Sequence, residues 1–342
     1  MDLDEFNYCL PKKLIAQQPA LPRSASKLYI TNKNLISNFN KLPKFLDNND
    51  VLVINNTKVI PAVIFGKINQ KKIKVTLHTK YSTSKWESFT KPSKLISVGD
   101  ILKFDRNICA KVLKKKGPHA ELLFNVTDKK LMELLSISGD LPIPPYIKKE
   151  YSKKDDQKNY QSIFSKNYGA FASPTASLHF DENLLSELKK KKIDLIETTL
   201  HVGAGTFLPL ENNIVHKNKL HIERGYISRI SARKITDAIN NKKKIVAVGT
   251  TVLRLLESCF IKNSSIKYYN EETDLFIYPG FKFEVVNKLI TNFHLPKSSL
   301  FILVSAFGGK EKVLEYYKTA IKKQMRFFSY GDGMIINRSN EV

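Results

Sequence analysis

Between about Lys67 and Val126 the apolar residues stop running in blocks and begin to alternate, and this change of period constrains the fold more than any other feature of the chain. The segments are short: Ile73-Lys-Val-Thr-Leu-His78, Ile101-Leu-Lys-Phe104, Ile108-Cys-Ala-Lys-Val-Leu113 and Ala120-Glu-Leu-Leu-Phe124. Gly99-Asp100 and Lys116-Gly-Pro118 punctuate them. Alternation with turn signals at this spacing predicts several short strands closing into a small antiparallel β-barrel. On the N-terminal side, Val51–Ile54 is a continuous apolar run, followed by Asn55-Asn-Thr57 and then Val59–Phe65. That pattern predicts two buried strands joined by a turn. On the C-terminal side, the proline-rich stretch Leu141–Tyr146 stiffens the chain and marks a boundary.

Beyond about residue 165 the rhythm becomes helix, strand, helix. Asp181 is placed to cap a helix over Glu182–Lys192, and Ser231 one that runs to Asn241. Ile193–Val202 and Lys244–Gly249 read as buried strands. Helices are expected from Thr250 to Cys259, over Ser299–Phe307 and over Lys310–Met325. Strands alternating with helices imply an α/β layer fold. The expected architecture is therefore a mixed or parallel sheet with flanking helices, built from residues 1–66 and 149–342, with the β-barrel inserted over 67–148.

Charge narrows the function classes. Lys plus Arg is 56 and Asp plus Glu is 32, a formal charge of +24, which points to a polyanionic partner. Only eight of those cations are arginine, so the excess reflects lysine abundance more than a dedicated base-reading surface. Cys9, Cys109 and Cys259 are widely separated and fit neither a zinc spacing nor a CxxC pair. The N-terminus is acidic where a secretory signal would be basic, and no apolar run approaches the roughly 20 residues of a membrane span. A cytoplasmic enzyme without a membrane partner is the expectation.

Five polar, glycine-bearing segments fall where strands end, which is where α/β proteins bind ligands. They are Gly169–Phe180, which holds Pro174, Thr175 and His179; Thr199–Phe207, with His201, Gly203, Gly205, Thr206 and Phe207; and Val248-Gly249-Thr250-Thr251 with Arg254 one helical turn on. The fourth is Thr291–Ser298, with His294 and Lys297, and the fifth is Arg326–Asp332, with Tyr330. Each alone is weak: a lone Gly-x-Gly is ordinarily a tight turn, and a lone histidine is ordinarily a hydrogen-bonded structural residue. No P-loop, HExxH, GxSxG or GxGxxG is present, so phosphoryl transfer, zinc hydrolysis and serine hydrolysis have no support.

Together these segments resemble one family, the ribosyltransferase-isomerases that act on tRNA in queuosine synthesis. The likeness starts at Leu14–Pro19 and continues through Asn55–Ala62, Leu141–Ile147 and Tyr160-Gln161 to Arg326–Asp332, nearly the whole chain. It implies transfer and isomerisation of the ribosyl part of S-adenosylmethionine onto 7-aminomethyl-7-deazaguanine at the tRNA wobble position. The products would be epoxyqueuosine-tRNA, adenine and methionine. S-adenosylmethionine is then a consumed substrate, no metal or further cofactor is needed, and a monomer is expected.

That chemistry needs a base beside the sulfonium and a donor to help adenine leave, so groups titrating near neutrality are the candidates. They are His201, His179, His221 and His294, with Glu223 and Asp332 as carboxylate options. Arg254 with the Gly249-Thr250-Thr251 turn is expected to hold the methionine carboxylate. Pro174, Thr175, Gly203, Gly205, Thr206, Phe207 and Tyr330 are expected around the rest of the ligand, and Lys58, Lys297 and Arg326 at tRNA phosphates. The chain departs from the family pattern at Asn56 and Lys58 (usually Asp and Arg), Val63 (Arg), Ser24 (Asp), Ser177 (Gly) and Asn218 (His), while His221 and Glu223 match. A tRNA-binding relative with weakened catalysis, and a methyltransferase, are the rival readings.

Overall fold

The computed structural model describes residues 1–144, 146–147, 157–203 and 210–339. Four apolar runs form the centre of a nine-stranded sheet: β3 (Asp50–Asn55), β12 (Asp194–His201), β14 (Lys244–Val248) and β16 (Lys288–Asn292). β12, β3, β14 and β16 pair in parallel in that order. All six residues of β3 are buried, as expected for a strand covered on both faces. On one flank β13 (Glu223–Ile227) and β15 (Tyr269–Thr273) add antiparallel. On the other, β17 (Gly333–Asn337) runs antiparallel to β16 and is followed by the N-terminal hairpin β1 (Lys27–Ile30) and β2 (Leu35–Asn38). The sheet is thus mixed, as the sequence predicts.

Helices cover both faces. α3 (Arg229–Asn240), α4 (Thr250–Asn263), α5 (Ser299–Gly308) and α6 (Lys310–Lys322) bury Ile235, Leu253, Phe301 and Tyr317 in the larger core. α2 (Glu182–Lys190) and the turn Phe39–Phe45 bury Leu184, Leu188, Phe39 and Leu42 against the opposite face. Asp181 caps α2 as expected, its Oδ1 accepting the Leu184 N–H at 2.9 Å. The cap of α3 is Ser228 rather than Ser231: the Ser231 N–H donates to Ser228 Oγ at 3.0 Å, while the Ser231 hydroxyl donates to the Glu197 carbonyl. None of the helices among the described residues is long and apolar enough to cross a membrane.

The expected second strand, Val59–Phe65, is two elements. Thr57–Val59 (β4) pairs in parallel with Asn167–Ala170 (β11), and Val63–Ile68 (β5) opens the barrel. Pro61 separates them, since it has no N–H to continue a ladder. The barrel is closed in the order β10-β7-β6-β5-β8-β9, with β6 at Lys71–Lys80, β7 at Lys85–Lys91, β8 at Ile101–Lys103, β9 at Cys109–Lys116 and β10 at His119–Phe124. Its interior is the alternating set Ile73, Val75, Leu77, Trp86, Ala120, Leu122 and Phe124. A helix with no counterpart in the sequence reading, α1 (Asp128–Ser138), plugs this core with Leu131, Leu134 and Leu135. Pro145 of the proline-rich stretch lies outside the described residues.

Packing beneath the cavity rests on Phe301, fully buried with its ring 4.7 Å from Tyr317, 5.1 Å from Tyr8 and 6.4 Å from Phe6. Phe301→Ala should cost about 3–5 kcal/mol of unfolding free energy in urea denaturation, through lost burial and the cavity it leaves. A cost under about 1 kcal/mol would mean this cluster does not carry the packing.

Candidate active site

The carboxyl ends of β12, β3, β14 and β16 meet at one edge of the sheet, and beside them lies a cavity of about 370 Å³. The strand-to-helix turn after β14 forms one wall. Gly249, at φ +99°, takes a backbone conformation that favours glycine and lets α4 start at Thr250 against the cavity. No side chain caps this helix, so its first amides face the ligand space with the positive end of the helix dipole.

Arg254, 5% exposed, projects into the same wall. Its Nη1 pairs with Glu223 Oε2, and its Nε donates to the Leu275 carbonyl at 3.0 Å. Its Nη2 is buried with no hydrogen-bond partner among the described residues. Glu223, equally buried at the start of β13, also accepts the Gly203 N–H at 2.8 Å. A guanidinium fixed on two sides and open on the third is built to receive an anion, and a buried donor left unmatched is costly until one arrives.

The opposite wall comes from β16 and the segment before β17. Asn292 Nδ2 donates to the Phe328 carbonyl at 2.9 Å, and its Oδ1 lies 3.3 Å from His179 Nε2. His294 Nε2 lies 2.9 Å from Thr291 Oγ1, its backbone N–H donates to the Tyr317 hydroxyl, and its carbonyl accepts from Tyr8. Burial pushes the His294 imidazole down to about 3, so it is neutral at physiological pH. Phe328 and Tyr146 form an aromatic face, centroids 4.5 Å apart. The buried Ser173 hydroxyl, on the cavity wall, has no partner among the described residues.

The structure brings Pro174, Thr175, Glu223, Gly249, Thr250, Thr251, Arg254 and His294 together on this cavity. Gly203 joins them through its bond to Glu223, while Gly205, Thr206 and Phe207 lie outside the described residues. His221 borders a small adjoining pocket that shares Glu223, Arg254 and Leu300 with the cavity.

Other expected residues stand elsewhere. His201 ends β12 with its Nδ1 2.8 Å from Thr57 Oγ1 and Gly169 against its ring, where any Cβ would come within 2.6 Å. His179 is stacked on Phe39 at 4.0 Å, its Nδ1 on Ser26 Oγ at 2.7 Å, so it supports Asn292 from behind. Tyr330 lines a separate shallow cleft with Arg23. Asp332 accepts the backbone N–H groups of Lys27 and Arg326, a structural clamp 1% exposed. Lys297 is paired with Asp4, and Arg326 with Asp332 and the Gln18 carbonyl. Of the expected tRNA contacts, Lys58 has no acidic partner among the described residues: its Nζ lies 4.4 Å over the Tyr168 ring, beside a groove of about 970 Å³.

Sequence reasoning missed Asn292, Ser173, Phe328 and Tyr146. Asn292, Ser173 and Phe328 sit inside segments it had isolated, and Tyr146 ends the proline-rich stretch, but nothing in their spacing marked them as cavity-facing. Of the positions that depart from the family pattern, Asn56 and Asn218 are well satisfied, whereas the buried Ser177 hydroxyl has no partner among the described residues. Asn56 donates to Glu197 and accepts from Thr199 and Asn167, and Asn218 ties its loop through Asn212, Ile214 and Val215.

Fold and cavity together define a class: an α/β protein whose strand ends border a cavity with a buried arginine in its wall, carrying an accessory β-barrel. Residues 3–336 match the family described as queuosine biosynthesis protein, and the chain belongs to that family. It is 40% identical over 344 residues to the S-adenosylmethionine:tRNA ribosyltransferase-isomerase of Vesicomyosocius okutanii, covering 100% of both chains. It is 41% identical to the protein of the same name from Thermosipho melanesiensis, over 98% of this chain and 100% of that one. The crystal structure of S-adenosylmethionine tRNA ribosyltransferase from Thermotoga maritima aligns with a TM-score of 0.55 at 32% identity, over 97% of this chain and 99% of that one.

Three imidazoles lowered by burial give this protein an acid sensitivity. His179 and His294 are held at about 3 in the folded state by burial, against an ordinary 6.5, and His78 at about 4. The unfolded chain therefore binds more protons between pH 6.5 and those values. Stability is full above pH 6.5 and falls as pH drops, each group adding up to about 1.4 kcal/mol per pH unit. Urea midpoints measured from pH 7 to pH 4 should decline, and less steeply in His179→Gln. A flat profile would contradict neutral buried imidazoles.

Proposed function

We propose that the cavity binds S-adenosylmethionine and that the protein transfers and isomerises its ribosyl moiety onto 7-aminomethyl-7-deazaguanine in tRNA, releasing adenine and methionine and leaving epoxyqueuosine. The observation that carries this reading is the Nη2 of Arg254, without a partner among the described residues, at the uncapped start of α4, which suits the carboxylate of the methionine moiety. Glu223 keeps the guanidinium oriented, and the aromatic face of Phe328 and Tyr146 offers a stacking surface for adenine. The relatives' printed names and the family match favour the same substrates.

With so low a proton affinity, His294 is not the base that takes the proton beside the sulfonium. Its neutral ring serves as a hydrogen-bonding group for the departing base, and His221, at the mouth of the adjoining pocket, is the imidazole left for proton transfer. S-adenosylmethionine is consumed, and the reaction needs neither metal nor further cofactor. Lys58 and the groove beside Tyr168 meet the tRNA backbone, phosphate contacts that position without reading sequence. The protein acts as a monomer in the cytoplasm.

The test is to incubate the protein with S-adenosylmethionine and tRNA carrying 7-aminomethyl-7-deazaguanine, and to assay adenine and digested nucleosides. Adenine appearing with epoxyqueuosine is expected. Arg254→Lys keeps the charge but loses the fork, and should lower kcat/KM at least about tenfold. S-adenosylhomocysteine as product would indicate methyl transfer instead, and tRNA binding without adenine release would indicate a non-catalytic relative.

A further inference from the structure

The outer wall of the barrel carries a cluster that the reaction does not use. His78 on β6, Glu87 on β7 and His119 on β10 each present one ligand-type atom, and the three atoms lie within 4.8 Å of one another. This is the only such group of histidine, cysteine and carboxylate side chains among the described residues. The three strands are neighbours in the barrel, with β7 paired to both β6 and β10. The register slips between Leu77 and Thr79, so His78 is the extra residue of a β-bulge. Bulges re-aim a side chain, and here the bulge falls at the residue whose ring joins the other two.

We infer that His78, Glu87 and His119 form a binding site for a divalent transition-metal ion of the zinc class, separate from the cavity. The donor set, two imidazoles and a carboxylate, suits zinc, which water would complete to four-coordination. His78 Nδ1 lies 3.0 Å from Thr79 Oγ1, while its Nε2 is buried and has no hydrogen-bond partner among the described residues. With Nδ1–H donating to Thr79, the Nε2 lone pair is left free, the arrangement in which a partner on one ring nitrogen orients the other toward a metal.

Glu87 Oε2 accepts from the Tyr81 hydroxyl at 2.8 Å, leaving Oε1, which lies 3.8 Å from His119 Nδ1. Ligand atoms around tetrahedral zinc are roughly 3.3 Å apart. The partly exposed ends of Glu87 and His119, 31% and 39% accessible, have room to close the difference. A bound ion would tie three barrel strands together at one point.

The test uses full-length protein stripped with chelator and titrated with Co²⁺, then with Zn²⁺. One equivalent of Co²⁺ should give the visible band of a tetrahedral nitrogen–oxygen site, which Zn²⁺ displaces. His78→Ala and Glu87→Gln should abolish the band, and Thr79→Ala should weaken Co²⁺ binding about 10–100-fold. Zn²⁺ should raise the Tm of the unaltered protein and not that of Glu87→Gln. Matching metal-free melting curves would show that the variants fold. Absence of the band at millimolar Co²⁺, or a band that persists undiminished in both His78→Ala and Glu87→Gln, would overturn the proposal.

Discussion

The buried pair between Arg254 and Glu223 organises the site. Two charges removed from water do not by themselves stabilise a fold much, because desolvation offsets their attraction. The pair joins pieces from three parts of the chain instead. Arg254 comes from the first turns of α4, Glu223 from the start of β13, and Gly203, through its amide, from the end of β12. The Leu275 carbonyl takes a second donor of the guanidinium, which leaves Nη2 without a partner among the described residues.

The rest of the sheet positions that pair. Parallel strands with both faces covered bring their carboxyl ends to one edge, and the loops there are free of packing duties. Gly249 permits the abrupt change from β14 to α4. On the facing side, Asn292 is held by the Phe328 carbonyl and backed by His179, so the wall opposite Arg254 is equally fixed. The barrel has its own core, closed by α1, and meets the sheet through the short β4–β11 pairing and the groove beside Tyr168.

Much of this was legible in the sequence, because strand periodicity and turn residues are local signals. The barrel showed in alternation, and the ligand wall in a strand ending Val248-Gly249 before a helix bearing Arg254. Helix α1 was not legible, since it buries only Leu131, Leu134 and Leu135 amid polar neighbours. The strand expected over Val59–Phe65 broke at Pro61, and the cap of α3 fell at Ser228 because Ser231 is taken by Glu197. The site residues divide on a point no spacing reveals: whether a polar side chain is already engaged. Asp332 is occupied by two backbone amides, and His179 by Ser26 and Asn292, whereas Arg254 retains a donor without a partner among the described residues. Cavity residues such as Asn292 and Phe328 look in sequence like ordinary strand and core positions.

The central claim is that Arg254 recognises the ligand's carboxylate. The most direct measurement compares equilibrium binding of S-adenosylmethionine with that of its decarboxylated analogue, which keeps the sulfonium, ribose and adenine. The unaltered protein should bind S-adenosylmethionine at least about tenfold more tightly, the worth of one charge-assisted hydrogen bond, and Arg254→Lys should lose most of that preference. Equal affinity of the unaltered protein for the two ligands would contradict the account.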